Sequence, residues 1–155
     1  MRRYLAIFLV VCTLLVDQWS KAWVRGCFSE GESLPLVEPV LHLTYIENQG
    51  AAFGIMAGHT LFFVVFTLLV LSALVFYVLK EAYDNRLAIT GMSFVVGGAL
   101  GNLVDRVMKG SVTDMFDLRI WPVFNVADIA VCLGFGLLLV YLIFYSEQRD
   151  DSYEN

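Results

Sequence analysis

The chain has 155 residues, of which 59% are hydrophobic and only 16% charged, with a formal net charge of −5; its mean hydropathy is +0.72. A soluble domain usually carries about 25% charged residues, so the composition argues against an ordinary soluble enzyme and for a membrane protein. The acidic balance argues against a nucleic-acid partner, whose phosphates need a basic surface.

Met1-Arg2-Arg3 followed by Tyr4 to Val16 has the outline of a secretory signal peptide. No A-x-A site follows, and Val11 stands before Cys12 where a lipoprotein cleavage box has a small residue. The run continues through Asp17-Gln18-Trp19-Ser20-Lys21-Ala22-Trp23-Val24, long enough to span, so residues 4–24 are read as an uncleaved first helix. In loop 25–60, Leu41 to Glu47 alternates weakly and predicts a short strand, while Asn48-Gln49-Gly50 and Gly54 carry turn chemistry. Leu61 to Leu79 is the clearest span, without a charge. A charged turn with Lys80, Glu81, Asp84 and Arg86 leads into a glycine-rich third span, 87–104, ended by Asp105 and Arg106. In loop 107–124, Phe116 to Ile120 predicts a second strand. The fourth span is 126–145, and the acidic tail 146–155 is expected to be solvated and disordered.

The fold class expected is an all-α membrane protein, a single integral membrane domain over 1–155. It has four transmembrane helices and a small extramembrane β-containing loop region on the side opposite the termini. Basic residues tie across the two sides, but Arg2, Arg3 and the charged turn favour cytoplasmic termini. Trp19, Trp23 and Trp121 then fall near the outer interface.

An ionisable residue inside a membrane helix is expensive, and is by default a candidate for function. Alternation of four spans brings Asp17, Lys21, Asn102, Asp105, Arg106, Asn125 and Asp128 to one end, together with Asn48, Asp114 and Asp117 of the joining loops. The other end is almost free of polar groups. Asp17 and Lys21 have i, i+4 spacing and can pair; Gly98, Asn102 and Asp105 share a face of the third helix. Gly97 and Gly101 form a GxxxG pattern that permits close helix approach. The alternative reading is that these polar groups only hold helices together.

Nucleophile motifs are poor. Both histidines, His42 and His59, lie in the first loop, there is no HExxH set for zinc, and the cysteines Cys12, Cys27 and Cys132 are scattered, without an evident base or thiolate metal pattern. Carboxylates remain: Asp17, Asp105, Asp114, Asp117 and Asp128. Two aspartates sharing one proton can hydrolyse an amide without metal or cofactor, one as base toward water and the other polarising the carbonyl. Asp114, in a loop reaching back to the membrane, and Asp128, in the first turn of the last helix, are well placed for it if they meet.

These residues carry a resemblance. Asp17-Gln18-x-x-Lys21, Asn48-x-Gly50-Ala51-Ala52-Phe53-Gly54, Gly97 to Asn102 with Asp105-Arg106, Val112-x-Asp114 and Phe124-Asn125-x-Ala127-Asp128 occur in that order. Together they resemble the motifs of the bacterial lipoprotein signal peptidases (signal peptidase II) along nearly the whole chain. The resemblance implies an aspartic endopeptidase of the bacterial inner membrane that cuts prolipoproteins N-terminal to a diacylglyceryl-modified cysteine. It needs no cofactor or metal, meets membrane lipid, and is expected to act as a monomer with its active site toward the outer face. It implies Asp114 and Asp128 as the dyad, with Asn48, Gly98, Asn102, Arg106, Asn125, Asp17 and Lys21 binding substrate or supporting the site. Met115, where the family often has phenylalanine, and the short stretch between the aspartates depart from its pattern.

Three other readings stay in view. A proton-coupled transporter predicts polar residues through the full membrane thickness. An assembly factor would tolerate Asp114→Asn. The GxGD class of intramembrane proteases lacks its motif here.

Overall fold

Four apolar helices form the body of the computed structural model: α1 (Arg2–Cys27), α2 (Thr60–Tyr77), α3 (Arg86–Lys109) and α4 (Val126–Tyr145). Each is long and apolar enough to cross a membrane. Residues 2–50, 58–78 and 85–145 are described; the charged turn over 80–84, the motif residues 51–54 and the tail 146–155 lie outside them.

The third helix runs past its expected end near residue 104 to Lys109. Its stop signal is glycine, not charge: Gly110 adopts a left-handed φ of 80° and donates its N–H to the Arg106 carbonyl at 3.0 Å. At its start Asn85 caps the helix, accepting from the backbone N–H of Leu87 and Ala88 at 2.8 and 3.2 Å.

Helix α3 is central, lying between α1 and α4, with α2 on its flank. Gly98 lets α4 approach, since a Cβ there would collide with the Ala127 carbonyl. Gly101 does the same for α1, facing the Asp17 carboxylate. Without a water-driven hydrophobic force between spans, such close backbone contact supplies much of the cohesion. A core of Leu71, Val78, Ala88, Val95, Leu138 and Tyr141 fills the space among α2, α3 and α4. In α2 only Leu71 is fully buried, and most of its other apolar side chains are exposed, as on a lipid-facing helix.

The connections at the far end from the termini build a three-stranded antiparallel sheet in the order β1 (Ser33–Val37), β2 (Leu41–Asn48), β3 (Val112–Asp117). The strand expected over Leu41–Glu47 is β2. The one expected over Phe116–Ile120 forms earlier. After Asp117 the chain bends: the Asp117 side chain accepts the Arg119 N–H at 2.8 Å, and Arg119 adopts φ 64°. Strand β1 was not foreseen, because Pro35 reads as a breaker; it fits an edge strand, which is what β1 is. Beneath the sheet Met115 packs with Val24 and Leu43, so its departure from the motif falls in packing.

Candidate active site

Each polar element at the sheet end has a local reason for its place. In β3 the period-two alternation turns Val112 and Asp114 into a cavity, while Met115 faces the apolar layer beneath. Asn125 and Asp128 form a reciprocal cap at the start of α4. Asp128 Oδ2 accepts the Asn125 backbone N–H at 3.1 Å, and Asn125 Oδ1 accepts that of Asp128 at 3.0 Å. Asp17 Oδ1 takes a third N–H of this helix start, from Ala127, at 2.9 Å. Asn48 closes a turn by accepting the Gly50 N–H at 2.9 Å, which aims its amide nitrogen at Asp114.

The two aspartates converge on one cavity of about 220 Å³, lined also by Asn48, Asn102, Arg106 and Trp121. Amides bind them together. Asn125 Nδ2 donates to Asp114 Oδ1 at 2.7 Å and to Asn102 Oδ1 at 3.1 Å, and Asn102 Nδ2 donates to Asp128 Oδ1 at 2.8 Å. Asn48 Nδ2 donates to Asp114 Oδ2 at 3.0 Å. Burial pushes the Asp114 carboxyl up to about 7, with the charge of Asp128 adding to it, against the opposing hydrogen bonds from Asn48 and Asn125. The Arg106 guanidinium lies 5.1 Å from the Phe63 ring centre and 3.4 Å from the Gly50 carbonyl. A more open groove of about 680 Å³, between the end of β2 and residues 119–123, shares Asn48, Gly50 and Asp114 with the cavity.

Lys21 and Asp17 pair as their spacing predicts, at 2.8 Å, both fully buried. Lys21 also meets Asp105 at 3.2 Å and donates to Asn102 Oδ1 at 2.9 Å. Gly98 does not line the cavity; it sets the distance between α3 and α4. Sequence reasoning did not single out Arg25, Glu47, Lys109 and Thr113, which join Asp105 in a polar layer behind β3. Part of the signal was there: Asp17, Lys21 and Arg25 recur every fourth residue, as do Asp105 and Lys109. Among the described residues, no group of three or more His, Cys, Asp or Glu could hold a metal ion.

Residues 9–144 match the family model described as Signal peptidase (SPase) II. The chain belongs to the signal peptidase II family. It is accordingly an aspartic peptidase. The lipoprotein signal peptidase of Halothermothrix orenii is 45% identical over 134 residues, covering 86% of this chain and 91% of that protein. That of Syntrophomonas wolfei is 44% identical over 150 residues, covering 96% and 97%. A solved structure described as a bacterial membrane enzyme at 2.3 Å resolution aligns with a TM-score of 0.83 at 32% identity, over 97% of this chain and 91% of that one. A second, at 1.9 Å resolution, aligns with a TM-score of 0.82 at 33% identity. Four spans with an extramembrane sheet are thus an architecture that this signal peptidase II family member shares with known membrane enzymes.

Proposed function

We propose that this chain cuts the signal peptide from prolipoproteins, just N-terminal to a diacylglyceryl-modified cysteine, with Asp114 and Asp128 as the catalytic dyad. The observation that carries this reading is the common cavity, in which two carboxylates linked through Asn125 and Asn102 face one space. In its protonated form Asp114 gives its proton to the scissile carbonyl oxygen as Asp128 accepts one from the attacking water. That proton then passes to the leaving amine, while Asp114 recovers its own as the tetrahedral intermediate collapses. Arg106 and the asparagines supply donors for the substrate backbone or the developing oxyanion. Asp17, Lys21 and Gly98 support the arrangement from behind.

The setting suits such a substrate. The scissile bond sits between a membrane-embedded signal helix and a soluble chain, so it is met by groups at the end of a helical bundle. We place the chain in the bacterial inner membrane as a monomer, with cytoplasmic termini and the dyad toward the outer leaflet. Purified protein incubated with a diacylglyceryl-modified precursor is expected to cleave it and to leave the unmodified precursor intact. Asp114→Asn and Asp128→Asn are each expected to lose about 10³-fold or more in turnover while still accumulating in the membrane. Wild-type turnover by either variant would overturn the assignment.

A further inference from the structure

Behind the dyad, on the other face of β3, lies a polar layer that the chemistry above does not use. Thr113 is its centre and is fully buried. Its N–H donates to Asp105 Oδ2 at 3.2 Å and its hydroxyl to Glu47 Oε1 at 2.8 Å. The same hydroxyl oxygen accepts from Arg25 Nη1 at 2.9 Å and Lys109 Nζ at 2.6 Å. Glu47 stands opposite Thr113 in the ladder between β2 and β3. It also accepts from the Tyr45 hydroxyl at 2.9 Å, from Ser111, and from Lys109 at 3.2 Å. The N–H and hydroxyl of Thr113 are therefore both committed, to strand β2 and to helices α1 and α3.

Register makes this matter. The pairing of β2 with β3 shifts between Leu43 and Ile46, and past the shift three pairs remain: Ile46 with Asp114, Glu47 with Thr113, and Asn48 with Val112. Strand side chains alternate, so a slip of one residue would turn Asp114 away from the cavity and Thr113 into it. Glu47 and Thr113 form the side-chain hydrogen bond directly across this stretch, and Arg25 of α1 and Lys109 of α3 clamp it to the bundle.

We propose that Glu47 and Thr113 are positioning residues for the dyad: their cross-strand pair, anchored on Arg25 and Lys109, holds the register that aims Asp114 at Asp128. This rests on the dyad reading, and the Asp114→Asn control separates the two, because a fully active Asp114→Asn protein would remove the dyad itself. The test measures kcat and KM on the lipidated precursor across pH. Thr113→Val keeps the shape and loses the hydroxyl; it is expected to lower kcat about tenfold with KM within twofold. Its alkaline limb should move to lower pH as Asp114 becomes better solvated. Thr113→Ser, which restores the hydroxyl, should return kcat to within threefold of wild type. Glu47→Ala should act like Thr113→Val, and the double variant should be no worse than either alone, as for two halves of one contact. Wild-type kcat in Thr113→Val, equal losses in the Val and Ser variants, or losses that multiply in the double variant would overturn the proposal. If Thr113→Val does not accumulate, Glu47→Ala and Thr113→Ser decide: wild-type kcat in the first or a tenfold loss in the second overturns it.

Discussion

Four of the aspartates at the sheet end of the bundle fall into two unlike pairs. Asp17 and Asp105 share the buried ammonium of Lys21, with Arg25 and Lys109 also close to Asp105. Among the described residues Asp114 and Asp128 have no ion-pair partner, and their oxygens accept from asparagine amides and one backbone N–H. One small volume thus separates structure from chemistry. A carboxylate matched by a buried cation is a fixed charge whose removal exposes the partner. A carboxyl held by neutral donors near a second acid can exchange a proton at ordinary pH.

The largest effect that would sharpen this contrast is on turnover. The dyad variants should be inactive, yet Asp114→Asn should melt no lower than wild type, because an amide there replaces an acid that burial disfavours. Lys21→Met should do the reverse to stability, costing about 3–5 kcal/mol by leaving Asp17 and Asp105 uncompensated, read as a lowered melting temperature in detergent. An unchanged melt would mean that the two pairs do not differ as described.

A smaller effect is the pH dependence of Asp114. Its folded value of about 7 lies above the unfolded value near 4. Below both values the group costs nothing; as pH rises from about 4 to about 7 the unfolded chain releases its proton first, and stability falls. Melting of wild type relative to Asp114→Asn should therefore decline across that window and level off above it. The kcat/KM of wild type should fall on the alkaline side of pH 7, where Asp114 loses the proton it needs. A flat profile from pH 6 to 9 would count against a protonated Asp114.

Smallest is the packing term. Gly101→Ala forces a methyl against the Asp17 carboxylate and should cost about 1–3 kcal/mol. Gly136→Ala meets nothing within 4 Å and should be within about 0.5 kcal/mol of neutral. Equal melts for the two would show that α1 does not need its close approach at Gly101.

Much of this was legible because its signals are local or periodic. Long apolar runs mark four helices regardless of their partners. The i, i+4 spacing of Asp17 and Lys21 leaves their pairing little alternative on a helix, and the spacing of Gly97 and Gly101 marks a contact face. The sheet was only half legible: β2 alternates, but β1 carries a proline and is exposed throughout, so nothing in its pattern separates it from loop. Glu47 and Thr113 gave little sign of their role, since they become neighbours only when β2 and β3 meet across a strand ladder.

The chain's own residues determine its solvent, its four helices and the gathering of polar groups at one end, since hydropathy and alternation need no tertiary contact to act. Whether Asp114 and Asp128 would line one cavity was left to the packed structure. Their sharing it depends on the β2–β3 register, on the close approach of α3 and α4 at Gly98, and on Asn125 and Asn102 bridging the gap. Each of those is a contact between segments distant in sequence, where a shift of one residue or of a methyl's width changes which side chains meet.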